Sequence, residues 1–592
     1  MKRRTFILAS AGMGLIPISC KTMTQKSDTK KVTMMKPTLQ GAPAVIKNPA
    51  ITSRNQNRST VVGRNGMTAA SQTLAANTGY DILKAGGNAI DAAIAMNAMN
   101  ALTEPTSCGP GGDLFAIVWI EKDKKLYGLN ASGRSPYAWN RDEAKRRGVS
   151  GNIPTYGPLA WSVPGCVSGW DALNKRFGSM SIDRLLAPAE EAAREGFVVA
   201  PIMGSYWRSA PAAFQDYSNA AHTFLVDGKA PQFGQVFSNP DLANFFSILR
   251  RDGVDAFYQG EIAERIVQYS KERDGLFSLK DFKDHHADWV EPVSTNYRGY
   301  DLWEIPPNGQ GIAALQMMNI LEHFEISAMK PNSIEHIHLF LEAKKLAFED
   351  RSQYYADMDR ADVPLEWLIS KEYGKQRAKL IDRNKASVDI KPGALDGSSD
   401  TIYLCAADKD GNMVSLIQSI YYGWGSREVP TGLGFCLQNR GSAFNLDPNH
   451  RNALEPHKRP FHTIIPAFLT KDGSPKCAFG VMGGDFQPQG HAQVVMNMVD
   501  FGFSMQQAGE QPRAYHSGSS EPSGSKMELG GKVSLEKGFD PSVAQALKAM
   551  GHDVASVNAG MFGGYQAIWR EDAPMRYLAG SDPRKDGCAV GY

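Results

Sequence analysis

A polar run, Ser398-Ser399-Asp400, passes straight into Thr401-Ile402-Tyr403-Leu404-Cys405-Ala406-Ala407-Asp408, a β-prone segment headed by a hydroxyl residue. A second β-prone run, Met413 to Tyr421, follows Lys409-Asp410-Gly411, with glycine where a short hairpin loop needs positive φ. The hairpin register sets Ser419 opposite Thr401, and a slip of one residue sets Ile420 there instead. If the chain were cut between Asp400 and Thr401, the new N-terminal threonine would unite a hydroxyl nucleophile with an α-amine of pKa roughly 7.7–8.0. No separate histidine is then needed as base. An ordinary strand threonine after a polar loop gives the same local pattern, so the rest of the chain has to decide.

Lys+Arg 64 against Asp+Glu 62 leaves a formal charge of +2, which excludes the strong basic field of a nucleic-acid binder. A length of 592 residues sets a soft prior of about four domains. No linker inside the main body enforces such a division. There is no phosphate-binding Gly-rich loop, no zinc-type cysteine spacing and no internal repeat. At the N-terminus, Lys2-Arg3-Arg4, an apolar stretch from Phe6 to Ile18, and Ser19-Cys20 predict an export signal over residues 1–20, too short to span a bilayer. Arg3-Arg4 before Thr5-Phe6-Ile7 resembles a twin-arginine signal, and Cys20 stands where a lipoprotein signal is cut and acylated, although Pro17 is a poor residue for that motif. The expected location is exported, either periplasmic or membrane-anchored. Residues 21–58 are expected as a disordered tether, having no apolar period. The six later cysteines, Cys108, Cys166, Cys405, Cys436, Cys477 and Cys588, are sparse and mostly in apolar or glycine surroundings, and are expected as buried free thiols.

Small and apolar residues recur at helical spacing from Thr68 to Leu102, with a stop at Gly86-Gly87-Asn88 and a second helix from near Ala89. Ser107-Cys108-Gly109-Pro110-Gly111-Gly112-Asp113 is a glycine turn leading into a buried strand, Leu114 to Trp119. Ile334 to Tyr355 predicts a long amphipathic helix. His336 and His338 fall on different faces of it, so they do not suit one metal ion; structural or surface roles are expected for them, and the pair His285-His286 fails similarly. Beyond residue 460, strands over Ile464 to Leu469, Lys476 to Met482 and Gly563 to Arg570 surround a helix from Gly490 to Phe501. This mixture of tight strand pairs and helices predicts an α+β fold of stacked layers.

Taken together, the segments from about Val61 to Tyr592 resemble the γ-glutamyltransferase family of N-terminal-nucleophile hydrolases. Gly66-Met67-Thr68-Ala69-Ala70 with Leu83 to Ala93 is similar to the family's opening helices, and Glu342 to Arg351 to its central helix. Ser581-Asp582-Pro583-Arg584-Lys585-Asp586-Gly587 and the final Gly591-Tyr592 are similar to its C-terminus. The resemblance implies a four-layer αββα sandwich and self-cleavage between Asp400 and Thr401, giving a large chain (59–400) and a small chain (401–592) that form one body. It implies Thr401 as nucleophile, Ser419 as the hydroxyl supporting its amine, and Gly483-Gly484 as the pair whose N–H groups face the oxyanion. Neither cofactor nor metal is implied.

The departures from the family cluster on the substrate side. Ser132 stands where members acting on glutathione carry an arginine, and Arg134, two residues on, is a candidate to grip a carboxylate instead. In Gln438-Asn439-Arg440-Gly441-Ser442-Ala443-Phe444, Arg440 and Ala443 replace the glutamine and aspartate that help hold the glutamyl ammonium. Losing an anion and gaining a cation there opposes a substrate ammonium. His462-Thr463 replaces the usual serine pair, Ile402 the second threonine after the cut, and the segment after Phe444 is shorter than the lid loop of many members. These traits resemble the divergent branch that includes cephalosporin-acylase-like and oxamate-amidohydrolase-like enzymes. Candidate substrate-binding residues are therefore Arg134, Asn439, Arg440, His462 and Thr463.

The leading expectation is a self-processing γ-glutamyltransferase or glutathione-hydrolase-like enzyme working through an acyl-threonine on a small-molecule amide. One alternative is an acylase for a carboxylate-bearing acyl group without the α-amine, of glutaryl or oxamate type. Another is a non-catalytic exported binding lipoprotein.

Overall fold

The computed structural model describes residues 34, 36, 38–40, 58–388, 400–556 and 562–592. The expected export signal, the possible lipid attachment point Cys20 and most of the expected tether lie outside them. Thr38–Gln40, inside the stretch expected as a tether, is nevertheless a strand, paired antiparallel with Val236–Ser238. Edge pairing is made by backbone groups and needs no apolar period, which is why composition missed it.

Two seven-stranded antiparallel sheets form the centre. In chain order their strands are β1 (Val61–Gly63), β2 (Gly66–Ala70), β3 (Asp113–Ile120), β4 (Lys125–Ala131), β5 (Asp288–Val290), β6 (Val293–Tyr297), β7 (Tyr300–Glu304), β8 (Asp400–Asp408), β9 (Met413–Tyr421), β10 (Ala467–Lys471), β11 (Ser474–Met482), β12 (Gly564–Asp572), β13 (Met575–Ser581) and β14 (Cys588–Gly591). One sheet has the order β14-β2-β8-β9-β3-β4-β5 and the other β1-β13-β12-β11-β10-β7-β6. The β8–β9 hairpin is central in the first, closed by a loop in which Gly411 takes φ +93°.

Alternation along β8 shows how the layers arise, because successive side chains of a strand point to opposite faces. Tyr403, Cys405 and Ala407 join Phe115, Ile117, Phe468, Ala478 and Ile568 in a core between the two sheets. Ile402, Leu404 and Ala406 face the other way, onto α1 (Thr73–Lys84) and α2 (Ala89–Thr103). The second sheet turns Leu469, Phe479, Val481 and Ala567 towards α3 (Gly311–Leu321), α4 (Ile334–Tyr354) and α5 (Phe486–Val499). The result is helix, sheet, sheet, helix, the αββα sandwich expected. Between the sheets the Tyr403 ring lies against Gly480, where a Cβ would stand 2.5 Å from the ring, so the approach of the two sheets depends on glycine there.

Two expectations need correction. Gly66–Ala70, expected within an opening helix, is the strand β2 between β14 and β8. A strand buried on both faces has no period-2 alternation to reveal it. The helix α4 is not amphipathic, being buried all round from His336 to Ser352, so neither histidine on it is a surface group. The six cysteines described are all free, and all but Cys588 are buried.

Candidate active site

Thr401, Ser419 and Asp113 share one end of three adjacent strands, β8, β9 and β3, and all three point into the space between the sheets. Parity fixes this, since they alternate in step with Tyr403, Ile417 and Phe115. The β8–β9 register shifts between Asp400↔Tyr421 and Ile402↔Gln418, so Ser419 and Ile420 together stand opposite Thr401. This is a β-bulge on β9, and the two registers considered from sequence meet at it. Its exit is Tyr421 at φ +82°. Thr401 Oγ1 lies 3.4 Å from Ser419 Oγ, which accepts 2.8 Å from the Tyr421 N–H.

The second sheet supplies the opposite wall. β11 ends at Met482 and runs through Gly483 (φ +129°) and Gly484 (φ +56°) into α5. The carbonyls of this pair accept from the Phe486 and Gln487 N–H groups and so start the helix. Because a trans peptide sets its N–H opposite its carbonyl, the Gly484 N–H is directed away from the helix. Gln487, which the sequence reading missed, sends Nε2 to within 3.5 Å of Thr401 Oγ1. Its Oε1 accepts from the Ile465 N–H at 3.0 Å, which orients the amide with the donor towards the threonine. The signal available was its place three residues after the glycine pair, in the first turn of the following helix.

Arg440 is fully buried. It lies over the Tyr421 ring, 3.8 Å from the centroid, and donates Nη1 to Thr463 Oγ1 at 2.9 Å. Its Nε and Nη2 are buried with no partner among the described residues. Burial pulls its pKa down to about 10, against the fields of Tyr421 and Asp113, so the group is still a cation at neutral pH. Asp113 is the nearby carboxyl group. Its Oδ1 accepts from the Gly133 and Gly165 N–H groups and from Gln438 Nε2, and its Oδ2 from His462 Nε2 at 3.0 Å. Burial pushes its pKa up to about 7 while Arg440 and these donors oppose the rise. His462 Nδ1 accepts from the Ile464 N–H, and burial together with Arg440 holds this ring well below its usual pKa, hence neutral. Gln310 ties Thr463 to the glycine pair, donating to the carbonyls of Thr463 at 2.7 Å and Gly484 at 2.9 Å.

The other expected substrate residues are occupied. Arg134 pairs with Asp288 at 3.0 Å, a carboxylate it shares with Arg459, so the anion it grips is the protein's own. Asn439 accepts from the Tyr422 N–H and donates to the Thr155 carbonyl, stitching two segments together. One group of possible metal ligands exists among the described residues, His338, Glu342 and His552. Hydrogen bonds account for it: His338 Nε2 donates to the Asp382 carbonyl, leaving Nδ1 to accept from His552, and Glu342 is paired with the Lys345 ammonium at 2.8 Å. A dication would have to displace that ammonium.

A four-layer αββα sandwich whose central hairpin strand carries a buried threonine at its second residue, reached by a glutamine from the first turn of the helix that follows a glycine pair on the other sheet, fits the N-terminal-nucleophile hydrolase class. The family model for gamma-glutamyltranspeptidase matches residues 75–592, and the chain belongs to that family. It is 37% identical to the glutathione hydrolase-like YwrD proenzyme of Bacillus subtilis, over 90% of this chain and 99% of that one. It is 33% identical to the oxamate amidohydrolase proenzyme of Klebsiella pneumoniae, with the same coverage. Among solved structures, the cephalosporin acylase from Bacillus halodurans superposes with a TM-score of 0.85 at 40% identity, covering 93% of this chain and 99% of that one. The chain is thus a self-processing, N-terminal-threonine amide hydrolase of this family, and nothing favours the non-catalytic alternative.

Proposed function

We propose that Thr401, freed by cleavage after Asp400, attacks amides whose acyl half carries a carboxylate but no α-ammonium. Thr401 Oγ adds to the substrate carbonyl and gives its proton to its own α-amine. The N–H groups of Gly483 and Gly484 hold the oxyanion, the protonated amine passes its proton to the leaving nitrogen, and water then resolves the acyl-threonine ester by the reverse steps. Ser419 and Gln487 position the Thr401 hydroxyl. The large and small chains of the one precursor stay together as the working unit, without nucleic acid.

The observation that carries the substrate class is Arg440, a buried guanidinium with two nitrogens unpartnered and no carboxylate paired to it among the described residues. Two adjacent N–H groups in this fork match a carboxylate. An ammonium there would meet like charge with no anion to spare, since Asp113 is held by four donors and Asp485 by Arg351. Thr463 orients the guanidinium and His462 buffers Asp113 beneath it, while Arg134 and Asn439 shape the surroundings through their own partners. γ-Glutamyl amides are the second reading, supported by the glutathione hydrolases among the relatives. Export through residues 1–20, ending either in simple cleavage or in lipid attachment at Cys20, belongs to this proposal on sequence grounds; among the described residues no helix is long and apolar enough to cross a membrane.

Sequencing the small fragment's N-terminus and comparing glutaryl with γ-glutamyl anilides tests this reading. A fragment starting at Thr401 and faster turnover of the glutaryl anilide are expected. A fragment starting elsewhere removes the nucleophile, and strict dependence on the α-amine removes the acyl class.

A further inference from the structure

The backbone leaving the bulge at Ser419 forms one side of a cavity of about 770 Å³ that the acyl half of the proposed substrate does not use. Tyr422, Gly423 and Trp424 line it from β9's exit, and Tyr156, Tyr206 and Thr106 face them. It is tied to the site by short links. The Tyr421 and Tyr422 rings are 4.3 Å apart, Tyr421 carries Arg440 on its face, and the Trp424 N–H donates to the Thr106 carbonyl at 2.8 Å. Asn439 holds the Tyr422 backbone and the segment bearing Tyr156 in register.

The cavity has one cationic side chain in its lining, Arg427. Its guanidinium lies 3.6 Å from the centroid of the Tyr156 ring, and among the described residues its buried Nε has no hydrogen-bond partner and no carboxylate forms an ion pair with it. The residue is held at φ +64°, with its N–H bonded to the Trp424 carbonyl at 2.9 Å. The volume is far beyond what ammonia or water needs, about 30 Å³ each, and falls in the range of ligand pockets. Aromatic walls with one open guanidinium select a flat body bearing an anion.

We propose that this cavity receives the amine half of the substrate, a ring-sized amine carrying a carboxylate, and that Arg427 is its counter-ion. The inference rests on the proposed acyl chemistry only for its orientation. The proposal sets the acyl carboxylate at Arg440, on the Tyr421 ring, and the amine half on the side of Tyr422, whose ring lies 4.3 Å from that of Tyr421, so that the substrate is an amide anionic at both ends.

The test has two arms. First, binding of free 4-aminobenzoate and of aniline is measured by calorimetry on the mature two-chain enzyme, the Arg427→Ala variant and the Arg427→Lys variant, with self-cleavage as the check that each variant folds. The wild type is expected to bind 4-aminobenzoate about tenfold or more tighter than aniline, the scale of one charge-assisted hydrogen bond, and Arg427→Ala to lose that preference while Arg427→Lys keeps part of it. Second, KM is compared for glutaryl-4-aminobenzoate and glutaryl anilide, and the same preference is expected. Equal binding of the two amines by the wild type, or a preference that survives in Arg427→Ala, overturns the proposal. If neither amide is turned over but 4-aminobenzoate binding still depends on Arg427, the acyl reading fails and the amine site stands.

Discussion

The guanidinium of Arg440 lies flat over the ring of Tyr421, the residue that closes the bulge opposite Thr401. The contact joins the proposed acyl recognition group to the backbone feature that places Thr401, the proposed nucleophile. A change at Arg440 is therefore expected to act on substrate and on stability in opposite directions.

For activity, Arg440→Ala is expected to raise KM for a glutaryl amide by about 10- to 100-fold, the worth of a charge-assisted hydrogen bond, with a smaller change in kcat. For stability, Arg440→Met in a Thr401→Ala background is expected to leave the melting temperature unchanged or raised, because a buried cation without a paired anion costs more than a well-packed apolar chain of similar length. A large loss of stability in Arg440→Met would show that the cation is structural.

Thr401→Ala is expected to remain one polypeptide on a denaturing gel and to show no amidase activity, and Thr401→Ser to be cleaved more slowly. In the mature enzyme the α-amine must be neutral to accept the hydroxyl proton. Its neutral form grows as pH rises, so kcat/KM is expected to climb with pH and level off at or below about pH 8, burial moving the limb down if anything. A pH profile flat from 6 to 9 would separate the rate from that amine.

Gln487→Ala is expected to slow both self-cleavage and turnover by about tenfold, one hydrogen bond's worth, since Nε2 is the donor aimed at Thr401 Oγ1. Gln487→Glu presents an acceptor there and is expected to be no better. Time courses of precursor cleavage on gels measure the first effect and anilide hydrolysis the second.

The hairpin and its loop glycine were legible because each is local: alternation over nine residues and one turn. The family motifs carried the sandwich. What escaped were relations between distant segments. Asp113 reads as the last residue of a glycine turn, and only the β9–β3 pairing, Ser419↔Asp113, brings it beside the site. Arg134 and Arg440 both read as candidate substrate-binding arginines, and the difference between them is Asp288, 154 residues from Arg134 in sequence, which pairs with Arg134 and not with Arg440. β2 was misread because a strand covered on both faces and a buried small-residue helix share one composition.

The C-terminal motif provides a prediction about folding. Asp582 is fully buried, accepting from Arg513 at 2.7 Å, from Arg584 at 3.0 Å and from the Tyr565 N–H at 2.8 Å, while Arg584 also pairs with Glu536 at 2.7 Å. Burial alone would raise its pKa, but the two arginines more than offset that and hold it at about 2. A carboxylate depressed on folding binds fewer protons folded than unfolded. Its stabilisation is thus complete above the unfolded value near 4 and is lost as pH falls towards about 2. In the uncleaved Thr401→Ala chain, Asp582→Asn is expected to cost about 3–5 kcal/mol at neutral pH, since it leaves two buried guanidinium groups short of an anion. It is also expected to flatten the decline in stability between pH 4 and 2. Denaturant midpoints across that range measure both effects, and an equally steep acid decline in Asp582→Asn would place the acid sensitivity in other carboxylates.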